Sequence, residues 1–155
     1  MSESTGGTSM KIIILGCGRV GATLAMMMDQ AGHTVTVIDY NTDAFQRLES
    51  SFGGRTIMGD GIDEEVLRRA GIEETQVFVA TTNGDNRNIM ASQIARKIFS
   101  VPEVICRIYD PIRTEVYQKL DLEVICPTIV GADLFKQAIE RHVTQSTPNA
   151  APRAR

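Results

Sequence analysis

Three glycines at fixed spacing, Gly16, Gly18 and Gly21, follow a short aliphatic run and precede a helical pattern. In that context a Gly-x-Gly-x-x-Gly motif is typical of a loop that binds the phosphates of a nucleotide. The first glycine allows a tight turn, the second lets a phosphate approach the backbone, and the third lets the helix pack closely on the strand. Free N–H groups and the helix dipole favour an anion at this point. The spacing therefore predicts a phosphate site.

Two residues inside this loop are further candidates for the same ligand. Arg19 follows Gly18 at the expected start of the helix, where its guanidinium can lie over phosphate oxygens. An arginine that only faces solvent is the alternative. We expect Cys17 to contribute its backbone amide and nothing more.

Asp39, at the end of the second expected strand, supplies an independent signal. A carboxylate at this place accepts hydrogen bonds from the two hydroxyls of a ribose. It would repel a 2′-phosphate, so NAD(H) or ATP/ADP is favoured as cofactor and NADP is disfavoured. The alternative is a glycine turn followed by a solvated aspartate, which the joint spacing of motif and acid disfavours.

Residues that follow the other expected strands are candidates as well, because ligands of parallel sheets lie beyond the carboxyl ends of the strands. These candidates are Asp60 and Gly61 after the third strand, Thr82 and Asn83 after the fourth, and Arg107 at the end of the fifth. We expect the third-strand turn to flank the adenine. For Asp60 and Arg107, an ion pair with each other or at the surface is an equal alternative.

Short runs rich in Ile and Val alternate with helical patterns, and this alternation indicates how the candidates are positioned. Strands are expected at 11–15, 34–38, 55–58, 76–80, 104–107 and 123–125. Helices are expected at 19–31, 63–71 and 85–99, from about 111, and at 128–142. The pattern predicts an α/β fold, a Rossmann-type doubly wound parallel six-stranded sheet in the order 3-2-1-4-5-6 with a C-terminal crossover helix.

Composition excludes several classes of protein. The 155 residues carry a net charge of −3 without a basic patch, which disfavours nucleic acid as a partner. Three scattered cysteines, none in a Cys-x-x-Cys pair, predict reduced cytoplasmic thiols and no metal site. His33 and His142 lie away from the strand ends, and no Tyr-x-x-x-Lys is present. We therefore expect no catalytic residues, so that the nucleotide is sensed and not transformed.

The two ends of the chain differ in composition from the rest. Residues 1–9 are rich in Ser, Thr and Gly and are expected to form a disordered leader. Residues 144–155 are polar and rich in Pro and Ala and are expected to form a flexible tail. One nucleotide-binding domain is expected at 10–143.

Four segments resemble the N-terminal nucleotide-binding domain of the RCK/KTN family of potassium-transport regulators. They are KIIILGCGRVG at 11–21, the stretch from GDG to AGI at 59–72, the stretch from Asn88 to ICR at 105–107, and LEVICP at 122–127. The resemblance implies a phosphate loop at Gly16, Cys17, Gly18, Arg19 and Val20, a ribose acid at Asp39, and ligand contacts at Asp60, Gly61, Thr82, Asn83 and Arg107. NAD(H), ATP or ADP is the ligand that it implies.

The resemblance also implies a biological role. It predicts a cytoplasmic regulatory subunit without enzyme activity, a homodimer that assembles into a ring, often of eight domains, beneath a membrane potassium transporter or channel. Many members continue into a second ligand-binding domain, RCK-C, which we expect this chain to lack. Two alternatives remain: a small NAD-dependent oxidoreductase or its cofactor-binding half, and a nucleotide sensor for a partner unrelated to potassium.

The last expected helix carries an apolar band wider than one sheet face requires. Val130, Leu134 and Ala138 form one stripe, and Phe135 and Ile139 lie beside it. We expect this helix to cover both the core and a partner. A fully buried terminal helix is an equal alternative.

Overall fold

The computed structural model describes residues 7–146. Its strands are β1 (Lys11–Leu15), β2 (Thr34–Asp39), β3 (Arg55–Met58), β4 (Val77–Ala80), β5 (Glu103–Arg107) and β6 (Glu123–Ile125). Its α-helices are α1 (Arg19–Gln30), α2 (Glu64–Arg69), α3 (Asp85–Lys97), α4 (Pro111–Tyr117) and α5 (Pro127–Ser146). Short 3-10 helices at Thr42–Arg47 and Ile72–Glu74 complete the element order.

The six strands form one parallel sheet in the order β3-β2-β1-β4-β5-β6. This confirms the doubly wound Rossmann-type order predicted from the sequence. β1 lies between β2 and β4, with Ile14 opposite Val37 on one side and Val79 on the other. Since consecutive crossovers leave β1 in opposite directions, the loops after β1 and β4 diverge and leave a crevice at this edge of the sheet.

The core consists of two apolar layers, one on each face of the sheet. Ile13 packs with Leu67 and Phe78 on one face, while its neighbour Ile14 packs with Ala25 and Val37 on the other. Successive residues of a strand point to opposite faces, so a strand covered on both sides is apolar throughout. This explains the uninterrupted Ile and Leu run of β1.

Local signals define several of the boundaries. The carboxylate of Asp63 caps α2 by accepting a hydrogen bond from the Glu65 amide. Asp110 caps α4 in the same way, and Pro111 occupies the first turn, where its missing N–H costs nothing. Gly71 adopts the left-handed conformation after α2, with φ of 86°.

The last helix departs from its predicted environment. No residue of α5 is buried, and Phe135 is 75% exposed. The fully buried alternative is therefore wrong, and so is the expectation that α5 covers the core of its own sheet. The helix follows β6 directly, after Cys126 alone, and its apolar band remains on the surface.

The structure describes part of the expected leader and part of the expected tail. The helix α5 continues to Ser146, so the expected tail at 144–155 begins with helical residues. Residues 7–9 have no regular secondary structure and are exposed. The rest of the expected leader, 1–6, and of the expected tail, 147–155, lies outside the described residues. Between residues 7 and 146, no helix has both the length and the apolar character needed to cross a bilayer.

Candidate functional site

A polar cleft of about 520 Å³ opens at the carboxyl edge of the sheet, above the start of α1. It brings together most of the predicted site residues, namely Gly16, Cys17, Gly18, Arg19, Val20, Asp39, Gly61, Thr82, Asn83 and Arg107. Gly21 and Asp60 do not line it. The cleft therefore lies beyond the carboxyl ends of the strands, where open parallel sheets bind their ligands.

The three motif glycines have distinct structural tasks. Gly16 has φ of 101°, a conformation that favours glycine, and a Cβ there would stand 3.0 Å from the Thr82 nitrogen. A Cβ on Gly18 would meet nothing within 4 Å, so this residue leaves the floor of the cleft open. A Cβ on Gly21 would collide with the carbonyl oxygen of Gly16. Gly21 therefore serves the packing of α1 on β1 and does not face the cleft.

The carboxylate of Asp39 is fixed by two backbone donors. Its Oδ2 accepts a hydrogen bond from the Cys17 amide at 2.8 Å, and its Oδ1 accepts one from the Asn41 amide at 2.8 Å. Each carboxylate oxygen can accept more than one hydrogen bond, so both keep capacity for hydroxyl donors. The amide of Cys17, expected to face a ligand, instead orients the acid.

The thiol of Cys17 is buried beneath the loop. Burial, and secondarily the negative charge of Asp39, raises its pKa to about 11, although Arg47 acts in the opposite direction. A thiol with such a pKa stays protonated at neutral pH and is a poor nucleophile. The side chain therefore contributes packing and no chemistry.

The cleft is strongly basic compared with the whole chain. Among the described residues that line it, four are arginines, Arg19, Arg47, Arg87 and Arg107, and one, Asp39, is acidic. The chain as a whole carries a net charge of −3. A concave site lined by one sign of charge concentrates ligands of the opposite sign. The cleft is thus suited to a polyanion such as a nucleotide.

Arg107 is turned toward the backbone. Its Nη2 donates hydrogen bonds to the carbonyl oxygens of Thr81 and Thr82, the latter at 2.8 Å, and its guanidinium lies 4.6 Å from the ring centre of Tyr109. Its Nε is buried and has no hydrogen-bond partner within residues 7–146. Burial lowers the pKa of Arg107 from its ordinary value. The mutual ion pair of Arg107 with Asp60, considered as an alternative to a ligand contact, does not form.

Asn88, at the start of α3, holds the exits of β4 and β5 together. Its side chain is fully buried, and its Oδ1 accepts hydrogen bonds from the amide and the hydroxyl of Thr82. Its Nδ2 donates to the carbonyl oxygens of Thr82 and Arg107 at 2.9 and 3.0 Å. The position of Thr82 in the cleft therefore depends on a residue that does not line it.

Asp60 has a different partner from the one considered in the sequence. Its Oδ1 lies 2.9 Å from Arg87 Nη1 and also accepts a hydrogen bond from the Ile62 amide. The pair is a half-exposed surface ion pair at the rim of the cleft. Asp60 thus does not line the cleft itself but contacts Arg87, which does.

The cleft residues that sequence reasoning missed include Tyr40, Asn41, Arg47, Arg87 and Tyr109. Tyr40, Asn41 and Tyr109 lie two or three residues after predicted strand ends, so the rule that ligands lie beyond the carboxyl ends of parallel strands could have included them. Arg47 and Arg87 lie in helical segments, where no motif marked them. Their side chains reach the cleft only through the tertiary arrangement.

A second, apolar groove of about 520 Å³ runs along the uncovered face of β4, β5 and β6 beside α1. Its apolar lining includes Val20, Leu24, Met27, Val79, Ile105 and Ile125. Pro127, the first residue of α5, stands at its end. An apolar surface of this kind is typical of a site that another polypeptide covers.

A family model described as the TrkA-N domain matches residues 12–127. The chain belongs to this family. This confirms the resemblance drawn from the four segments. A relative from Streptomyces coelicolor, named Trk system potassium uptake protein TrkA, is 52% identical over 124 residues, which are 80% of this chain and 56% of the relative. The chain thus spans little more than half of that protein.

Solved structures of low sequence identity share the fold. The Kef C-terminal domain of Shewanella denitrificans, described in its AMP-bound form, matches with a TM-score of 0.71 and 18% identity over 89% of this chain and 83% of that one. GsuK bound to ADP matches with a TM-score of 0.71 and 24% identity over 86% of this chain and 34% of that one. These matches support the Rossmann-type architecture described above.

Proposed function

We propose that this TrkA-N domain binds an adenine nucleotide, NAD(H) or ATP/ADP, in the polar cleft and serves as a cytoplasmic regulatory module of a membrane potassium transporter or channel. The observation that carries the proposal is the position of Asp39. Its carboxylate is held by the Cys17 amide beside the open floor at Gly18, which supports Asp39 as the ribose acid of a phosphate loop at 16–20.

The nucleotide would lie across the crevice with its parts in a defined order. The phosphates would lie over Gly18 at the start of α1, where the helix dipole favours an anion, with Arg19 beside them. The ribose hydroxyls would donate to Asp39, and a 2′-phosphate would be repelled there. Thr82, Asn83 and Arg107 would bound the cleft on the side of β4 and β5.

A regulatory role is favoured over an oxidoreductase by what surrounds the cleft. Neither histidine lines it among the described residues, and the Nδ1 of His33 accepts a hydrogen bond from the Met10 amide at the opposite edge of the sheet. The thiol of Cys17 is buried and protonated. These side chains offer no proton donor to a substrate, which supports a nucleotide that is sensed.

We further propose that α5 covers the apolar groove of a second copy of the chain. The exposed side chains of α5 include Leu134, Phe135 and Ile139, and the groove begins where the helix leaves the sheet. Burying such side chains contributes about 25 cal/mol for each Å² of apolar surface. In a homodimer formed in this way, α5 of each copy would cover the exposed face of β4, β5 and β6 in the other copy.

A ring of such dimers, for example of eight domains, would need a second contact surface. Ile112, Val116 and Leu120 of the α4 region supply one, since they are exposed and spaced by four residues. With a second apolar surface on each chain, dimers can assemble further into a closed ring. Nucleotide exchange would then act on a membrane partner if the ligand bound two arrangements of the ring with different affinity.

Potassium transport as the biological context is supported by the name of the Streptomyces coelicolor relative. That relative extends beyond the matched segment, so the partner is proposed from a partial match. Capture of the chain on membranes that contain the cognate potassium transporter, and its absence from membranes without that transporter, would support this partner. Equal capture by both would favour a sensor for another protein.

Calorimetric titration of the full chain with NAD, NADH, ADP and ATP, and with NADP for comparison, tests the binding itself. The proposal predicts saturable binding of at least one ligand and weaker binding of NADP than of NAD. Absence of saturable heat with all four ligands would remove the proposal. Turnover of NADH with small carbonyl substrates would favour the oxidoreductase instead.

A further inference from the structure

Three residues from three different strand exits meet at one end of the polar cleft. Tyr40 follows β2, Asp60 follows β3, and Arg87 lies in the first turn of α3, after β4. Arg87 pairs with Asp60 at 2.9 Å, and its guanidinium lies 5.7 Å from the ring centre of Tyr40. The Arg87 side chain thus spans from the β4 exit to the exits of β2 and β3.

Folding stability alone gives little reason for this arrangement. The Arg87 and Asp60 side chains are 39% and 40% exposed, and exposed ion pairs contribute about 0–1 kcal/mol. A positive charge in the first turn of a helix also opposes the helix dipole. Tyr40 is 68% exposed beside Asp39, where an aromatic ring gains little from burial. The three side chains are better explained by a ligand.

The base of the proposed nucleotide would lie at this end of the cleft. Its phosphates belong over Gly18 and its ribose belongs at Asp39, which directly precedes Tyr40. The base leaves the ribose on the side away from the phosphates. That side lies toward β2 and β3, because β3 and β2 occupy the end of the sheet beyond β1.

We propose that Arg87 stacks its guanidinium on the face of the nucleotide base and that Asp60 acts through Arg87 by setting the plane of this group. The inference rests on the proposed nucleotide site and names its base-recognition residue. Arginine guanidinium groups are planar and stack on aromatic faces. Base stacking of this kind depends on the area of the ring, so a purine is held better than a pyrimidine.

The charge of Arg87 is already balanced, which separates it from a phosphate-binding arginine. Asp60 lies within 2.9 Å of its Nη1, whereas Arg19 has no ion pair within residues 7–146. A compensated guanidinium gains less from a phosphate than an unpaired one, whereas stacking on a ring uses its planar group and needs no unpaired charge. Arg19 is therefore suited to the phosphates and Arg87 to the base.

The test compares ADP with UDP, which share the ribose and the diphosphate and differ in the base. The affinities of the full chain for both are measured by calorimetry for the wild type, Arg87→Ala, Arg87→Lys and Asp60→Asn. Arg68→Ala is the matched control, because Arg68 also pairs with a carboxylate, Glu64, and stacks on a ring, Phe99, but does not line the cleft. Circular dichroism establishes that each variant is folded.

We expect the wild type and Arg68→Ala to prefer ADP over UDP. Arg87→Ala should weaken ADP binding about five- to thirty-fold and UDP binding less, so that the affinity for ADP relative to UDP decreases. Arg87→Lys, which keeps the charge but lacks the planar group, should lose most of the same preference. Asp60→Asn should also decrease the affinity for ADP relative to UDP, although Arg87 is unchanged, because Asp60 no longer orients the guanidinium.

Three outcomes would overturn the inference. If Arg87→Ala weakens ADP and UDP by the same factor, Arg87 acts on the phosphates by its charge. If the wild type binds ADP and UDP equally, the base is not read at this end of the cleft. If the wild type binds neither of these two, nor NAD, NADH or ATP, the nucleotide site itself fails, and the base-stacking role fails with it.

Discussion

The backbone amide of Cys17 donates a hydrogen bond to Asp39 Oδ2 at 2.8 Å and so joins the glycine loop to the proposed ribose acid. The bond spans the exits of β1 and β2, which lie side by side in the sheet. Because the same carboxylate also accepts the Asn41 amide, its orientation is fixed by the protein. A ligand that needs both groups would therefore meet a site that is already ordered.

Replacement of Asp39 by alanine should weaken adenine nucleotide binding. Ribose hydroxyls buried without an acceptor lose about 1–3 kcal/mol, which corresponds to about a five- to 150-fold rise in the ADP dissociation constant. Calorimetry measures the change. Asp43→Ala is the control, since Asp43 lies in the next 3-10 helix and does not line the cleft. Unchanged affinity in Asp39→Ala would move the ribose to another place.

Alanine at Gly18 should weaken nucleotide binding, whereas alanine at Gly21 should lower the stability of the fold. At Gly18 the added Cβ meets nothing within 4 Å, so unfolding free energy should change by less than about 0.5 kcal/mol while phosphate binding weakens. At Gly21 the Cβ collides with the Gly16 carbonyl oxygen, and overpacking of this kind costs about 1–3 kcal/mol. Urea unfolding and ADP titration of both variants measure the contrast. Equal loss of stability in the two variants would contradict these assignments.

The buried thiol of Cys17 predicts a pH dependence of stability. Its pKa of about 11 in the folded chain lies above the value of a thiol in an unfolded chain, about 8.5. The folded state then binds the proton more tightly, so this stabilising contribution is complete below about pH 8.5 and is lost as the pH rises toward 11. Denaturant unfolding of the wild type and of Cys17→Ala between pH 7 and 10.5 isolates the effect as a difference. A difference that does not change with pH would contradict the assignment.

Introduction of a charge on the apolar side of α5 should prevent self-association. Phe135→Asp places a carboxylate where the proposed partner groove is apolar, so the dimer should dissociate at concentrations where the wild type is associated. Gln137→Asp adds the same charge on the same helix at a polar position and serves as the control. Sedimentation equilibrium measures the association. If Phe135→Asp associates as the wild type does, another surface joins the copies.

Much of the fold follows from local sequence signals. The apolar strands, the Asp63 and Asp110 caps and the glycine motif each act over a few residues, so their consequences can be predicted without tertiary information. The sheet order follows because the glycine motif marks β1 and right-handed crossovers constrain the rest. The continuation of α5 to Ser146 was not predicted, because the polar residues 144–146 do not continue the apolar band of the helix.

The side-chain arrangement of the cleft was less accessible from sequence. Arg87 pairs with Asp60 across 27 positions of the chain, and the side chain of Asn88 joins Thr82 to Arg107. The resemblance marked Asn88 as a family residue but not its partners, because these contacts depend on where α3 lies against the strand exits. The environment of α5 was also hidden, since an apolar band does not say whether it faces its own sheet or a partner.

A crystal structure of the full chain with ADP tests the central claim most directly. The account predicts both ribose hydroxyls within hydrogen-bond distance of the Asp39 carboxylate, about 2.5–3.0 Å between oxygens, with the diphosphate over Gly18 at the start of α1. A bound ADP that leaves Asp39 without a ribose contact, or that lies outside the polar cleft, would contradict it.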